Sequence, residues 1–119
     1  MSMKRALLLL IMMFAGLSLF AQSDYYQRKA QEYTREAEYY QKKAEGYRRE
    51  ADYYLKKAEG YTREAEYYLR KSDTSRASMY QRWASEATDN ANTQLRWARD
   101  AEDKAAMYLR WASDALGHR

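Results

Sequence analysis

The sequence YYLRKSDTSRAS at residues 67–78 decides whether this chain forms one long helix or two shorter ones. It is a unit of 12 residues, whereas the units on both sides of it repeat every 14 residues. Losing two residues turns the apolar stripe of a helix by about 120°, which neither a straight helix nor a supercoil can absorb. The stretch also contains four residues that cap helices and compete for backbone hydrogen bonds, which are Ser72, Asp73, Thr74 and Ser75. We therefore expect a turn at residues 72–75.

The three units upstream of this turn share one pattern. They read YYQRKAQEYTREAE at residues 25–38, YYQKKAEGYRREAD at 39–52 and YYLKKAEGYTREAE at 53–66. Fourteen residues are two heptads, so a pattern with this period stays on one face of a helix, with Tyr at position d and Ala at position a. Acidic residues precede basic ones by four positions, as in Asp52 and Lys56, which indicates a solvated helix face and not a set of catalytic carboxylates.

The units downstream of the turn keep this register but change its contents, because most of the Tyr at d become Ala. The large apolar side chains move to the flanks of the seam. Trp occupies g, Leu occupies e and Met occupies c, at Trp83, Trp97, Trp111, Leu95, Leu109, Leu116, Met79 and Met107. The resulting apolar arc covers about 200° of the helix, about twice the width usual for a surface helix of a globular protein. A single partner helix cannot cover it.

These patterns predict an all-α fold built from 14-residue, double-heptad repeats, most simply an antiparallel αα-hairpin coiled coil. Its arms would be residues 22–71 and 76–119. A column of Tyr needs shallow holes opposite it, and an Ala-rich column supplies them, whereas two facing Tyr columns would crowd. One long continuous helix is the alternative, because neither Gly nor Pro enforces the break.

Residues 1–21 have the pattern of a secretory signal peptide. The basic residues Lys4 and Arg5 precede an apolar run at residues 6–20, and Ala21 follows it. Cleavage near Ala21 would leave residues 22–119 as a periplasmic or secreted protein. An uncleaved N-terminal membrane anchor is the alternative, because Leu19 is larger than the small residue usual at that position.

The composition argues against most kinds of chemistry. The chain has no Cys and one His, which leaves little for a metal site or a nucleophile. We therefore expect that the protein is not an enzyme. We expect it to have no catalytic residue and to bind no cofactor, metal or small-molecule substrate. Its 21 basic and 17 acidic side chains are interspersed, so no one-signed patch for nucleic acid is expected.

The aromatic residues outside the seam are the candidate interaction residues, together with the Leu and Met of the flanks. The tyrosines at position c should be half exposed. This set consists of Tyr25, Tyr39, Tyr53 and Tyr67. The Trp should mainly cover the Tyr of the facing arm. We expect an exported, non-enzymatic structural or protein-interaction module, self-associating as a dimer of hairpins or binding another helical protein. The alternative is an envelope-surface binder whose second arm contacts lipid or glycan through its aromatic face.

Overall fold

The computed structural model describes residues 24–117, and this part of the chain contains two α-helices and no strand. Helix α1 spans Asp24–Arg70 and helix α2 spans Thr74–Gly117. The all-helical prediction is confirmed, and the alternative of one continuous helix is wrong because the backbone breaks at residues 71–73. The predicted signal peptide, with its cleavage position at Ala21, lies outside the described residues.

The end of α1 is a Schellman turn built on a serine. The Ser72 backbone has a φ of 60°, in the left-handed region, and its N–H donates to the Leu69 carbonyl at 3.1 Å. The Asp73 N–H donates to the Tyr68 carbonyl at 2.9 Å. These two bonds satisfy carbonyls that would otherwise lack partners at the end of the helix.

The same Asp73 also starts α2. One of its carboxylate oxygens accepts the Arg76 backbone N–H at 3.1 Å, and its carbonyl accepts the Ala77 N–H at 3.1 Å. The other carboxylate oxygen lies 3.5 Å from the Arg76 guanidinium. Asp73 therefore belongs to the C-terminal cap of α1 and is also the N-cap of α2. Because the two caps share this residue, the turn is very short.

We expect Asp73→Ala to lower the free energy of unfolding by about 1 kcal/mol, since it removes the N-cap acceptor. Ser72→Gly should raise the free energy of unfolding by about 0.5 kcal/mol. Glycine relieves the strain of the left-handed conformation, and this gain exceeds the backbone entropy that glycine costs. Urea unfolding followed by circular dichroism measures both. The exposed Ser75→Ala is the matched control, and an Asp73→Ala protein no less stable than this control would contradict the capping role.

The helices form two compact units, each of which pairs a part of α1 with a part of α2. Unit 1 contains the described residues 24–43 and 101–117, and unit 2 is Ala44–Asp100. In unit 2 the helices run antiparallel from the turn, since Tyr68 contacts Tyr80 and Tyr47 contacts Trp97. In unit 1 they are also antiparallel, because Tyr40 contacts Tyr108 while the earlier Tyr33 contacts the later Trp111.

The core of each unit is made mainly of alanine. In unit 1 the buried cluster contains Ala30, Ala37, Ala105 and Ala112. In unit 2 the same heptad position a supplies buried alanines from both helices, including Ala51 and, in α2, Ala77, Ala91 and Ala98. Small side chains at this position let the two backbones approach closely, and larger rings then close the sides. The supercoil geometry of the double-heptad repeat stays a prediction.

The Ala-rich column of α2 keeps a Tyr at two places, and there Tyr faces Tyr. Tyr40 stacks on Tyr108 at 5.8 Å between ring centroids and 7° between planes, and Tyr68 stacks on Tyr80 at 5.6 Å and 5°. These rings are only half-buried. The pairs occur where α2 keeps a Tyr at position d.

Candidate functional site

The Tyr at position c are exposed and held in place by neighbours. Tyr25, Tyr39, Tyr53 and Tyr67 are 57%, 53%, 54% and 45% exposed. Each ring packs edge-to-face on the next Tyr in the chain, with centroids 5.1 to 5.4 Å apart. A Lys four residues later places its ammonium 5.3 to 5.9 Å from the same ring. These contacts orient the rings but leave about half of each one open to solvent.

The three Trp contact the other helix and remain partly exposed. Trp83 packs on Tyr61, Trp97 on Tyr47 and Trp111 on Tyr33, all edge-to-face with centroids 5.6 to 5.7 Å apart. Their exposed fractions are 38%, 45% and 41%. The Trp thus cover the Tyr of the facing helix and still expose indole surface to solvent.

The remaining candidate interaction residues are less accessible. Leu109 and Leu116 were expected on the flank, but both belong to the buried cluster of unit 1, because α1 covers that side of α2 there. Leu95, Met79 and Met107 are partly buried. The exposed surface on which an interaction can be built is therefore aromatic.

A groove of about 350 Å³ opens beside Trp111 in unit 1. One wall comes from α1 and the other from the last turns of α2. It is lined by Tyr25, Tyr26, Lys29, Tyr33, Trp111, Asp114 and Ala115.

A second groove, of about 300 Å³, opens beside Trp83 in unit 2. It is lined by Tyr54, Lys57, Tyr61, Trp83, Glu86, Ala87 and Asn90. Six of these residues match the first groove after a shift of 28 residues, forward along α1 and backward along α2. Each groove therefore combines two Tyr, a Lys, a Trp, a carboxylate and an Ala in the same arrangement on its two helices.

The lysine of each groove is surrounded by phenol rings. In unit 1 the Lys29 ammonium lies 5.9 Å from the centroids of both Tyr25 and Tyr33. In unit 2 the Lys57 ammonium lies 5.3 Å from the centroid of Tyr53. A hydrogen bond to the Tyr53 side chain, followed by the charge that Tyr53 and Tyr61 acquire at high pH, raises the pKa of Lys57. Lys57 is therefore cationic throughout the neutral range.

We expect Tyr53→Phe to move the pKa of Lys57 down toward its ordinary value, because the hydroxyl that accepts the hydrogen bond is lost. A raised pKa in the folded state stabilises the protein fully below the ordinary lysine pKa of about 10.4, and this contribution is lost as the pH rises through the folded value. Tyr53→Phe should thus reduce stability at neutral pH, with the difference closing under alkaline conditions. A ¹³C NMR titration of the lysine side chains measures the pKa, and Tyr39→Phe, which alters the ring beside Lys43, is the control. An unchanged Lys57 titration in Tyr53→Phe would contradict the assignment.

The acidic groove residues were not among the candidates from the sequence. The sequence analysis assigns no role to Asp114 or Glu86, because acidic residues are frequent along the chain. A signal was present, since an acid follows each Trp by three residues, at Glu86, Asp100 and Asp114. On a helix this spacing puts the carboxylate beside the indole, on the same side.

Among residues 24–117, no group of three or more His, Asp or Glu side chains is arranged to hold a metal ion. Neither α1 nor α2 contains a stretch long and apolar enough to cross a membrane. Comparisons with protein-family models, curated proteins and solved structures found no match to this chain.

Proposed function

We propose that this protein is an exported, non-enzymatic structural or protein-interaction module that associates with a second copy of itself through its exposed rings. These rings are Tyr25, Tyr39 and Trp111 in unit 1, and Tyr53, Tyr67, Trp83 and Trp97 in unit 2. The observation that carries the proposal is that both units leave their largest apolar side chains at the surface while they bury alanine.

Exposed Tyr and Trp are suited to contact surfaces for a physical reason. They supply a large apolar area with only two side-chain torsions to immobilise, and they are enriched where partners bind tightly. In this protein the rings are also held by neighbouring Tyr and Lys, which lowers the entropy lost on binding. Exposed rings prepared in this way favour association over a purely solvated role.

The charges around the rings favour a second copy as the partner. In unit 1 the exposed rings stand beside Lys29 and Asp114, and in unit 2 beside Lys57 and Glu86. A two-fold interface brings the same surface of both copies together, so it needs both signs of charge on that surface. A surface of one sign would repel its copy, whereas this one can pair its lysines with the partner's carboxylates.

We expect residues 22–119 to form a dimer at micromolar concentration in sedimentation equilibrium. Replacing Tyr39, Tyr53 and Tyr67 together by Gln should weaken the dimer at least tenfold, roughly 1.4 kcal/mol, because the rings lose apolar contact area. Each is about half exposed, so folding should be little affected.

The control is Leu55→Gln with Leu69→Gln. These side chains are 39% and 48% exposed, but each lies two residues beyond a Tyr at c and therefore on the opposite side of α1. The control protein should dimerise as the wild type does. A strictly monomeric wild type, or equal loss of dimer in both variants, would refute self-association through the rings; binding only to a different helical protein would refute the second copy as partner.

A further inference from the structure

We propose that each of the two grooves is a binding site for a neutral saccharide, with a pyranose ring stacked on the aromatic walls and its hydroxyls bound by the lysine and the carboxylate. The grooves are those beside Trp111 in unit 1 and Trp83 in unit 2. This inference goes beyond self-association but uses the same lysines and carboxylates, so a saccharide and a second copy would compete for them.

The first argument is that packing does not explain the carboxylate. The three downstream units share Arg-Trp-Ala, then one variable residue, then an acid and an Ala. The buried Ala87 and Ala115 that follow two of these acids pack in the seam, and the Trp of each of these two units covers a Tyr. Glu86 and Asp114 are exposed, as are Arg82 and Arg110 four residues before them, so burial does not hold these acids in place. An exposed acid beside a Trp offers a hydrogen-bond acceptor to a ligand in the groove.

The second argument is charge, and it excludes ionic ligands. Aromatic walls with an acid would suit a quaternary ammonium ion, but Lys29 already places its ammonium between Tyr25 and Tyr33. A second cation would be repelled by it. An anion would meet Asp114 in one groove and Glu86 in the other. The arrangement therefore favours a ligand without net charge that carries both hydrogen-bond donors and acceptors.

The third argument is the match between ring faces and sugar chemistry. A pyranose with equatorial hydroxyls has axial C–H groups on its faces, and these are attracted to the negative face of an aromatic ring. Its hydroxyls at the rim can donate to a carboxylate and accept from an ammonium, and hydrogen bonds to charged groups are the stronger ones. Small-molecule clefts start at about 300 Å³, so volumes of about 350 and 300 Å³ suit one or two sugar rings.

The test uses residues 22–119 labelled with ¹⁵N, and follows the indole N–H signals of Trp83 and Trp111. The probes are N,N′,N″-triacetylchitotriose and cellotriose, two neutral saccharides with equatorial substituents. We expect one of these probes to shift both signals in a saturable way below about 10 mM, a range usual for weak binding. Self-association is measured separately without saccharide, so failure of one proposal leaves the other standing.

The variant that tests the chemistry is Asp114→Ala combined with Glu86→Ala, which removes both acceptors from exposed helix positions without disturbing the core. It should bind the probe about tenfold more weakly, because a hydrogen bond to a charged group is lost at each site. The matched control Asp103→Ala alters an exposed acid of α2 outside the grooves and should bind as the wild type does.

Three results would overturn the inference. One is the absence of any shift at Trp83 and Trp111 with both saccharides. Another is binding that the double variant retains in full, since the carboxylates would then have no part in it. The third is that tetramethylammonium or sulfate shifts these signals at lower concentration than either saccharide, because the grooves would then be ionic sites.

Discussion

Replacing Ala112 by Leu is expected to lower the free energy of unfolding by about 3 kcal/mol, at the upper end for overpacked cores. Ala112 is fully buried and belongs to the alanine cluster of unit 1, together with Ala30, Ala37 and Ala105. Most members of this cluster are alanines, which cannot change rotamer to make room for a larger side chain. Three additional carbon atoms must therefore separate the helices and loosen the ring contacts on both sides of the seam.

Urea unfolding followed by far-ultraviolet circular dichroism measures this loss. Ala106→Leu is the matched control, since it makes the same substitution at an exposed position of the same helix. It should change stability by less than about 0.5 kcal/mol. If both variants unfolded at the same urea concentration, the close packing of the alanine seam would be refuted.

Replacing Tyr108 by Ala is expected to cost about 3 kcal/mol, because this one ring contacts three others. It stacks on Tyr40 at 5.8 Å and lies 6.2 Å from Tyr33 and 5.3 Å from Trp111. Both apolar burial and ring-ring attraction are lost at once. The loss is below that of a fully buried ring because Tyr108 is only half-buried.

Thermal and urea unfolding of Tyr108→Ala measure the effect, with Tyr39→Ala as control. Tyr39 is 53% exposed and its ring packs on that of Tyr40, so the control should cost about 1 kcal/mol or less. The chain also offers the reverse experiment. Gln94 occupies in unit 2 the repeat position of Tyr80 and Tyr108, and Gln94→Tyr should stabilise the protein by about 1 kcal/mol through stacking on Tyr54. A Tyr108→Ala protein as stable as the Tyr39→Ala control would contradict a structural role for the ring cluster.

The units show that one repeat produces one local structure. In unit 1, Tyr33, Tyr40, Tyr108 and Trp111 form a four-ring cluster. In unit 2 the residues 28 positions away form a cluster whose centroid distances agree with it to within 0.2 Å. The members of this second cluster are Tyr61, Tyr68, Tyr80 and Trp83. Equivalent heptad positions therefore make equivalent ring contacts in the two units.

Much of the fold follows from local rules that act along the chain. The 14-residue period predicts helices, and the 12-residue unit predicts their break. The same register predicts that Ala at position a is buried and that Tyr at c is half exposed, as Ala37 and Tyr39 illustrate. These properties depend on positions within one helix, which the sequence states directly.

The conformation of the turn and the burial of the leucine flank could not be predicted from the spacing of residues within one helix. A left-handed Ser72 was not predictable, since glycine is the usual residue there and only the bonds of the closed turn hold a serine in that conformation. The burial of Leu109 and Leu116 was also missed, because it depends on how the first part of α1 packs beside them.

By itself, then, the sequence determined the helical class, the break near Ser72, the alanine seam and the aromatic surface, because each is set by spacing along one chain. Only the tertiary structure decided which rings stack and that Lys29 and Asp114, or Lys57 and Glu86, line the same groove. The reason is physical: residues of α1 and α2 that are far apart in the chain become neighbours only when the antiparallel register is set. That register depends on the turn and on the packing of both helices together, and no period within either helix contains it.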